Sequence, residues 1–570
     1  MKIKHFFGLA VLAAMTASCS SNNDLVNGGN GSGENESGVG YATLSINLPT
    51  TNGTRAAGDP EFKPGTADEY DVKDVTLLIF KKAGTSEGEY TYVETADLGT
   101  MAPWIKDNDN NGITTAATIT AKLSSVDLNG DYYALAILNN KDKNNDLKVT
   151  TPTTPGQTYN DWNKANNADG EKFADNKNGF YMANAPQFST GTPTTLVKID
   201  KVYATKQAAE TSKATTIHVE RGLAKVTVAS LPTGLQATGK LYEKDKVDIT
   251  AWNLDVTNKS TFPIHSLTDL TTNFTTIWSA STDPAPSTGR FVDGSNTAFK
   301  RVYWGVDPNY STDYTTVTDC EKAFNVLPAN AVINGDATTP QYCLENTFDI
   351  NHMKQGQTTR VVFKAKYTPN GFTAGETFYK IGNNTDLWKK ANLEAQIKAK
   401  ALEALNETDA DKVTVTLDAT ENDIAGTAGT KILKEANVQH NGTNVSSTEI
   451  NAINEKLGLK AAAGTDPIVG IATYTSGESY YIARIKHFGD DLTPWNAGDD
   501  TYGTDNVKYL GRYGVLRNNW YELTVNSVSG PGTPDVPTIK PTDPDDENYK
   551  YISVSVKILD WAKRSQSIDL

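Results

Sequence analysis

The residues of this chain that could take part in chemistry would do so as substrates. Cys19 directly follows Thr16-Ala17-Ser18, small residues that close an apolar run from Phe6 to Met15 behind Lys2 and Lys4. That run is too short to span a bilayer and has the flanks of a cleaved export signal, so Met1–Ser18 reads as a signal peptide. Cleavage before Cys19 would free it for acylation, and several acyl chains at about 0.8 kcal/mol per buried methylene hold a protein firmly on a membrane. The second such residue is Arg55, in the small, polar segment Thr51-Asn52-Gly53-Thr54-Arg55-Ala56-Ala57-Gly58-Asp59-Pro60. Segments of that composition are where proteases cut. Arg55 is the first arginine of the chain and Arg221 the next, so a cut after the first arginine falls between Arg55 and Ala56.

Other constellations are weaker. Asp107-Asn108-Asp109-Asn110-Asn111-Gly112 imitates the start of a calcium loop, but Thr118 stands where the bidentate Glu belongs and no helical pattern flanks it. A polar hairpin loop is the better reading, and no metal is expected. The histidines at 5, 218, 265, 352, 440 and 487 are scattered, without metalloprotease spacing, and no Gly-x-Ser-x-Gly elbow occurs. Asp490–Asp491 and Asp499–Asp500 lie in polar loops. Gly29, Gly31 and Gly33 lack the strand and helix that a phosphate loop needs. Cys320 and Cys343 are too few and too far apart for a zinc motif; in an oxidising compartment they could pair, and two separate buried thiols are the alternative. Nothing here supports an enzyme or a cofactor.

The elements that must position these residues are strands. The net charge of −15 over 570 residues leaves no basic face for nucleic acid and suits a surface-exposed protein. Ser20–Gly40 is Ser/Asn/Gly-rich tether that cannot bury a core. Tyr41–Leu48 then alternates, Ala42, Leu44, Ile46 and Leu48 against Thr43, Ser45 and Asn47. Further strand-like runs are Val72–Phe80, Ala116–Leu123, Tyr132–Leu138, Leu196–Tyr203, Thr216–Ala229, Val247–Val256, Arg360–Tyr367, Ser479–Ile485 and Val515–Val525. Asn-Gly pairs at 111, 129, 334 and 441 mark turns. Two helices are predicted: Asp386–Leu405, capped by Thr385 or Asp386, and Glu449–Leu457, with a Ser446/Glu449 capping box and Gly458 at its end. The fold class is all-β with helical insertions.

The far end repeats the near one. Ile552, Val554, Val556 and Ile558 alternate with Ser553, Ser555 and Lys557, a terminal strand able to complete its own sheet or another's. It follows a Pro/Asp-rich spacer, Gly530–Asn548, with Pro531, Pro534, Pro537, Pro541 and Pro544. Such a spacer reads as a stiff lead able to extend to roughly 60 Å at about 3.1 Å per residue. Cutting after Arg55 would release the strand Ala42–Leu48 and leave an apolar groove with two rows of unpaired backbone groups.

Thr16-Ala17-Ser18-Cys19 is similar to a bacterial lipoprotein box, with Thr16 where Leu is usual. Together with the Thr-Arg-Ala segment, Val219-Glu220-Arg221-Gly222-Leu223-Ala224-Lys225-Val226, Tyr342-Cys343-Leu344-Glu345-Asn346-Thr347, Val515-Leu516-Arg517-Asn518-Asn519-Trp520-Tyr521 and the closing Val-Lys-Ile-Leu-Asp-Trp-Ala, in that order, it resembles the fimbrillins of Bacteroidales surface pili, above all the shaft subunit of the minor (Mfa-type) fimbria. The resemblance implies two β-sandwich domains of transthyretin-like topology and export to the outer membrane as a lipoprotein. It also implies cutting by an Arg-specific protease and polymerisation in which a neighbour's strand replaces the lost one. Partners would be copies of the chain, tip and anchor subunits, and that protease.

The organisation expected is a signal peptide (1–18), a lipidated tether with a propeptide strand (19–55), sandwiches over 56–232 and 233–529 dividing near Leu231-Pro232, and a linker with a donor strand (530–570). Arg221 reads as a buried structural arginine. Competing functions are a non-polymerising surface lipoprotein that binds glycan or host protein, suggested by nine Trp and 25 Tyr, and an accessory tip or anchor subunit.

Overall fold

The computed structural model describes residues 39–49, 65–98, 105–106, 113–142, 144–165, 168–169, 172–174, 177–187, 193–267, 302, 304–463, 467–488, 493, 509–546, 552–559 and 564–565. Cys19, Arg55, Ala56 and the Asp107–Gly112 loop lie outside the described residues.

Gly40–Pro49 (β1), Val75–Lys81 (β2), Thr91–Asp97 (β3), Ile113–Leu123 (β4), Tyr132–Leu138 (β5), Met182–Asn184 (β6) and Thr215–Arg221 (β7) pair in the order β3-β2-β5-β6-β7-β1-β4. Thr215–His218 of β7 pairs with β1, while Val219–Arg221 pairs with β6. A strand that changes partner halfway joins two sheet segments whose apolar faces share one core. Ala42, Leu44, Ile46 and Leu48 meet Leu77, Ile79, Ala134, Ala136, Leu138, Ile217 and Val219 there.

The second sandwich uses Leu223–Val228 (β8), Lys246–Asp255 (β9), Gln341–Leu344 (β10), Arg360–Thr368 (β11), Glu478–Arg484 (β12), Trp520–Val528 (β13) and Ile552–Leu559 (β14). One sheet runs β10-β8-β13-β14, the other β9-β11-β12. Ala224, Val226, Tyr521 and Leu523 of the first face Val247, Ile249, Trp252, Val361, Phe363 and Tyr481 of the second. The molecule is thus mostly β, in sandwiched sheets.

Between β11 and β12 the chain inserts a separate unit. Phe378–Ile381 and Ile471–Tyr474 pair at its base, and the helices Lys390–Leu405 and Ser447–Lys456 sit on it. Its core is its own: Leu393, Ile397, Ala401, Val413, Leu417, Val438, Ile450 and Ile453.

Several expectations shift. The run Thr216–Ala229 is not one strand: the chain leaves the first sheet at Arg221 and enters the second at Leu223. A Cβ on Gly222 would lie 2.8 Å from ring carbons of Phe173 and Tyr181, so only glycine passes. The sheets therefore change over ahead of Leu231-Pro232. Of Leu196–Tyr203 only Val197–Lys198 is strand. The first predicted helix starts at Lys390, with no side-chain cap from Thr385 or Asp386, because Leu387–Trp388 pairs with Tyr379–Lys380 instead. The second begins at Ser447, and its Ser446/Glu449 capping box and left-handed Gly458 (φ +70°) are as expected. Tyr159–Ala165, Lys206–Glu210 and Val317–Ala323 are helices too short to announce themselves in the sequence.

Candidate functional site

The four apolar residues of β1 are fully buried: Ala42, Leu44, Ile46 and Leu48 each expose 0%. Alternation puts them on one face, and position in the sheet does the rest. β1 lies between β4, antiparallel (Leu44 opposite Ile119), and β7, parallel (Leu44 opposite Thr215). Both rows of its backbone groups are thereby used, and removing it opens a slot in the middle of the sheet. The polar side of the slot is partly closed as well. Thr43 is 8% exposed, and its hydroxyl donates to the Ala209 carbonyl of the helix Lys206–Glu210 at 2.8 Å. Thr120 Oγ1 on β4 lies 2.8 Å from the same oxygen. At the start of the slot, a Cβ on Gly40 would meet Val202 Cγ1 at 2.2 Å.

The last strand has a different setting. β14 pairs antiparallel with β13, Ile558 opposite Tyr521, Val556 opposite Leu523, Val554 opposite Val525 and Ile552 opposite Val528. In the isolated chain it therefore pairs within its own second sheet, and among the described residues Arg564–Ser565 lies beyond it.

The spacer before it is not a free lead, which corrects the expectation. Residues 530–546 are laid along the second sandwich. Tyr480 and Thr533 exchange backbone hydrogen bonds at 2.9 Å each, and the Tyr474 and Tyr481 hydroxyls donate to the Gly532 and Gly530 carbonyls. Val536 and Ile539 are buried, and Arg360 donates to the Pro537 carbonyl. The strap ends in a buried clamp, where Thr358 donates to Asp545 and Arg512 and Tyr513 donate to Asp546. Burial and the Asp546 carboxylate push the Tyr513 phenol far above its ordinary value. Prolines that deny the strap a sheet ladder leave its carbonyls free to accept from these side chains.

The motifs at 219–226, 342–347 and 515–521 converge on the junction at Gly222. Buried Arg221 donates to the Glu69 carbonyl (2.6 Å) and to Asn518 Oδ1 (3.3 Å). Lys225 Nζ lies 2.6 Å from Glu69 Oε1 and 3.8 Å from the centre of the Trp520 ring, and Tyr342 donates to the same Glu69 oxygen. His265 Nδ1 sits 3.0 Å from Glu220 Oε1, while Glu345 faces Arg517 at 3.4 Å. Glu69 was missed from sequence, and His265 and Glu345, though noted, were given no role there, since nothing local marks their partners. This cluster binds the two sandwiches together, and the structural reading of Arg221 holds.

Elsewhere the polar chemistry is structural. His352 lies 2.7 Å from Asp349, His440 3.2 Å from Glu407 and His487 2.8 Å from the Tyr521 hydroxyl. Among the described residues, no group of three or more His, Cys, Asp or Glu is placed to hold a metal ion. Cys320 and Cys343 are separate free thiols, buried in different apolar clusters rather than paired, and burial pushes them up to about 11 and about 12. Among the described residues no helix is long and apolar enough to cross a membrane.

Residues 472–567, spanning β12, β13, the strap and β14, match the family model of the major fimbrial subunit protein type IV, fimbrillin, C-terminal. No curated protein sequence matches the chain. Similar solved structures include a candidate cell adhesion protein of Parabacteroides distasonis (9% identity, 92% of this chain and 98% of that one, TM-score 0.38). Another is a candidate cell adhesion protein of Bacteroides eggerthii (14%, 94% and 98%, 0.32). A third is a fimbrial assembly protein of Parabacteroides distasonis (11%, 61% and 93%, 0.27). Likenesses that low bear on neither fold nor function. The family match does bear on them, for the region it covers: residues 472–567 are similar to the C-terminal part of fimbrillins.

Proposed function

From a chain with the C-terminal region of a fimbrillin, we propose a structural shaft subunit of a cell-surface fimbria that serves adhesion and biofilm formation. It is exported as a lipoprotein through Cys19 and held at the outer membrane until an Arg-specific protease cuts between Arg55 and Ala56. The cut releases β1 with the lipidated tether. Ile552, Val554, Val556 and Ile558 of a second copy then refill the slot. Tip and anchor subunits would complete the fibre.

The observation that carries this reading is where β1 lies: a central strand with a fully buried apolar face, placed just upstream of the one early arginine. Leu44, Ile46 and Leu48 at roughly 1.5–3 kcal/mol each supply about 5–9 kcal/mol of burial, which a released slot loses and an incoming strand restores. The donor is bulkier at position 42, where Ile replaces Ala, and β-branched at two more, which favours exchange over retention.

Mild Arg-specific proteolysis of the purified precursor, followed by electrophoresis without boiling, tests it. A ladder of oligomers is expected from the wild type, and an uncut monomer from Arg55→Ala. A single shortened monomer from the wild type would instead favour the non-polymerising surface lipoprotein. Polymers of normal length from Arg55→Ala with an intact N-terminus would rule the mechanism out.

A further inference from the structure

We infer that the incoming strand enters the slot in the same direction as β1 and in one register, with Ser553 in the place of Thr43, and that the Thr120–Ala209 hydroxyl site selects the direction while the buried apolar positions 42 and 48 select the register. The inference rests on the donor-strand reading above and goes beyond it, since four alternating apolar residues would fit the slot equally well in either direction.

The feature that selects the direction is on the polar side. Thr43 Oγ1 donates to the Ala209 carbonyl, so the 2.8 Å contact to Thr120 Oγ1 has Thr120 as its donor. Position 43 therefore calls for a group that donates once and accepts once, in a place 8% exposed. A serine or threonine hydroxyl does this; a lysine ammonium has three donors and no acceptor. Position 45 makes no such demand, because the Ser45 hydroxyl donates only to Asn47 of its own strand.

Four arrangements can be compared. In the direction of β1 with Ile552 at position 42, the donor places Ser553 at 43, Ser555 at 45, Lys557 at 47 and Val554, Val556 and Ile558 at 44, 46 and 48. The same register puts Tyr551 where Tyr41 stands, so the two segments read Tyr-Ala-Thr-Leu-Ser-Ile and Tyr-Ile-Ser-Val-Ser-Val, matching on the polar as well as the apolar side. Reversing the strand keeps the apolar set but delivers Lys557 to the hydroxyl site. Sliding it one way by two residues brings Asp560 to position 48, and the other way brings Lys550 to position 42, both fully buried apolar places. Position 40 admits no side chain beside Val202, so pairing cannot run back to Lys550, and β14 itself begins at Ile552.

Thr120 lies directly opposite position 43 in the β4 register, so a disulfide reports which donor residue arrives there. Full-length chains carrying Thr120→Cys with one of Ser553→Cys, Ser555→Cys, Lys557→Cys or Tyr551→Cys are processed with the Arg-specific protease, oxidised and run without reductant after boiling. A covalent ladder from Ser553→Cys alone is expected. A ladder from Lys557→Cys would overturn the direction, and one from Ser555→Cys or Tyr551→Cys the register. Non-covalent polymers with no cross-link in any pair would overturn the register and leave donor exchange standing. Failure of the unaltered chain to polymerise would sink exchange itself, and this inference with it. As a second readout, Ser553→Ala should slow polymerisation about fivefold to tenfold for the loss of one buried hydrogen bond, and Ser555→Ala should leave it unchanged. Equal effects of the two would also overturn the register.

Discussion

The two terminal strands carry nearly the same sequence pattern and sit in opposite circumstances. β1 is held on both sides, by β4 and β7, and its apolar residues are part of the first core. β14 pairs with β13 along its length and, among the described residues, has on its other side just the short pairing of Lys557–Ile558 with Arg564–Ser565. A four-residue apolar alternation therefore says that a strand has a buried face. It does not say how much of the sheet depends on it. On the proposed mechanism, the strand that leaves would be the one between two neighbours, and the strand that is donated would be the one at the outer side of its sheet.

The comparison is open to direct attack. Its largest consequence is an asymmetry of deletion. Removing 39–49 should leave the first sandwich unable to fold cooperatively, whereas truncation before Tyr549 should lower the melting temperature by only a few degrees. Scanning calorimetry of both truncations decides, and a large loss from the C-terminal one would make β14 integral to its domain.

Next in size is the strap. Asp546→Ala removes the carboxylate that faces buried Arg512 and should cost about 3–5 kcal/mol. Urea unfolding would measure it, and a neutral result would mean that the spacer is not anchored at this clamp. A third test uses acid. His218 lies beside Asn47 in the β1–β7 register, and burial lowers its pKa from 6.5 to about 4. The unfolded chain binds this proton more readily. The stability His218 contributes is therefore complete above about pH 6.5 and is lost as pH falls through 4, by up to about 3 kcal/mol. The slot should accordingly loosen in acid before the β14 edge does. His218→Gln should flatten the pH dependence of the melt between 6.5 and 4, and an unchanged slope would remove the histidine from the account. The smallest effect on the monomer belongs to Val554→Asp with Val556→Asp. It should shift the melt no more than truncation does, yet abolish polymerisation, because two charges cannot enter an apolar slot.

What the sequence disclosed, and what it hid, follows from the range of the interactions involved. β1, β5 and β11 were legible because period-2 alternation or a continuous apolar run is a local consequence of a buried face. The break at Gly222 was not, because it depends on the rings of Phe173 and Tyr181, some forty to fifty residues away along the chain. The strap was misread for a related reason. Its Pro/Asp composition describes a segment that makes no ladder, and the partners of its carbonyls and carboxylates, among them Tyr474, Arg360 and Thr358, are supplied by strands and loops far away. The start of the helix at Lys390 went to a strand pairing that claimed Leu387. The hydroxyl site at Thr43 was invisible because the helix that accepts its bond, Lys206–Glu210, is five residues long.

The position of β1 between two ladders also has a mechanical meaning. A fibre is loaded along its length, so in the proposed assembly the strand that fills the slot would be pulled lengthwise against β4 and β7. Tension in that geometry strains every rung of both ladders together, as in a lap joint under shear. At an edge, a peeling force would open one rung at a time. A joint of this kind fails late and all at once, which is what a thread anchored in flowing liquid requires.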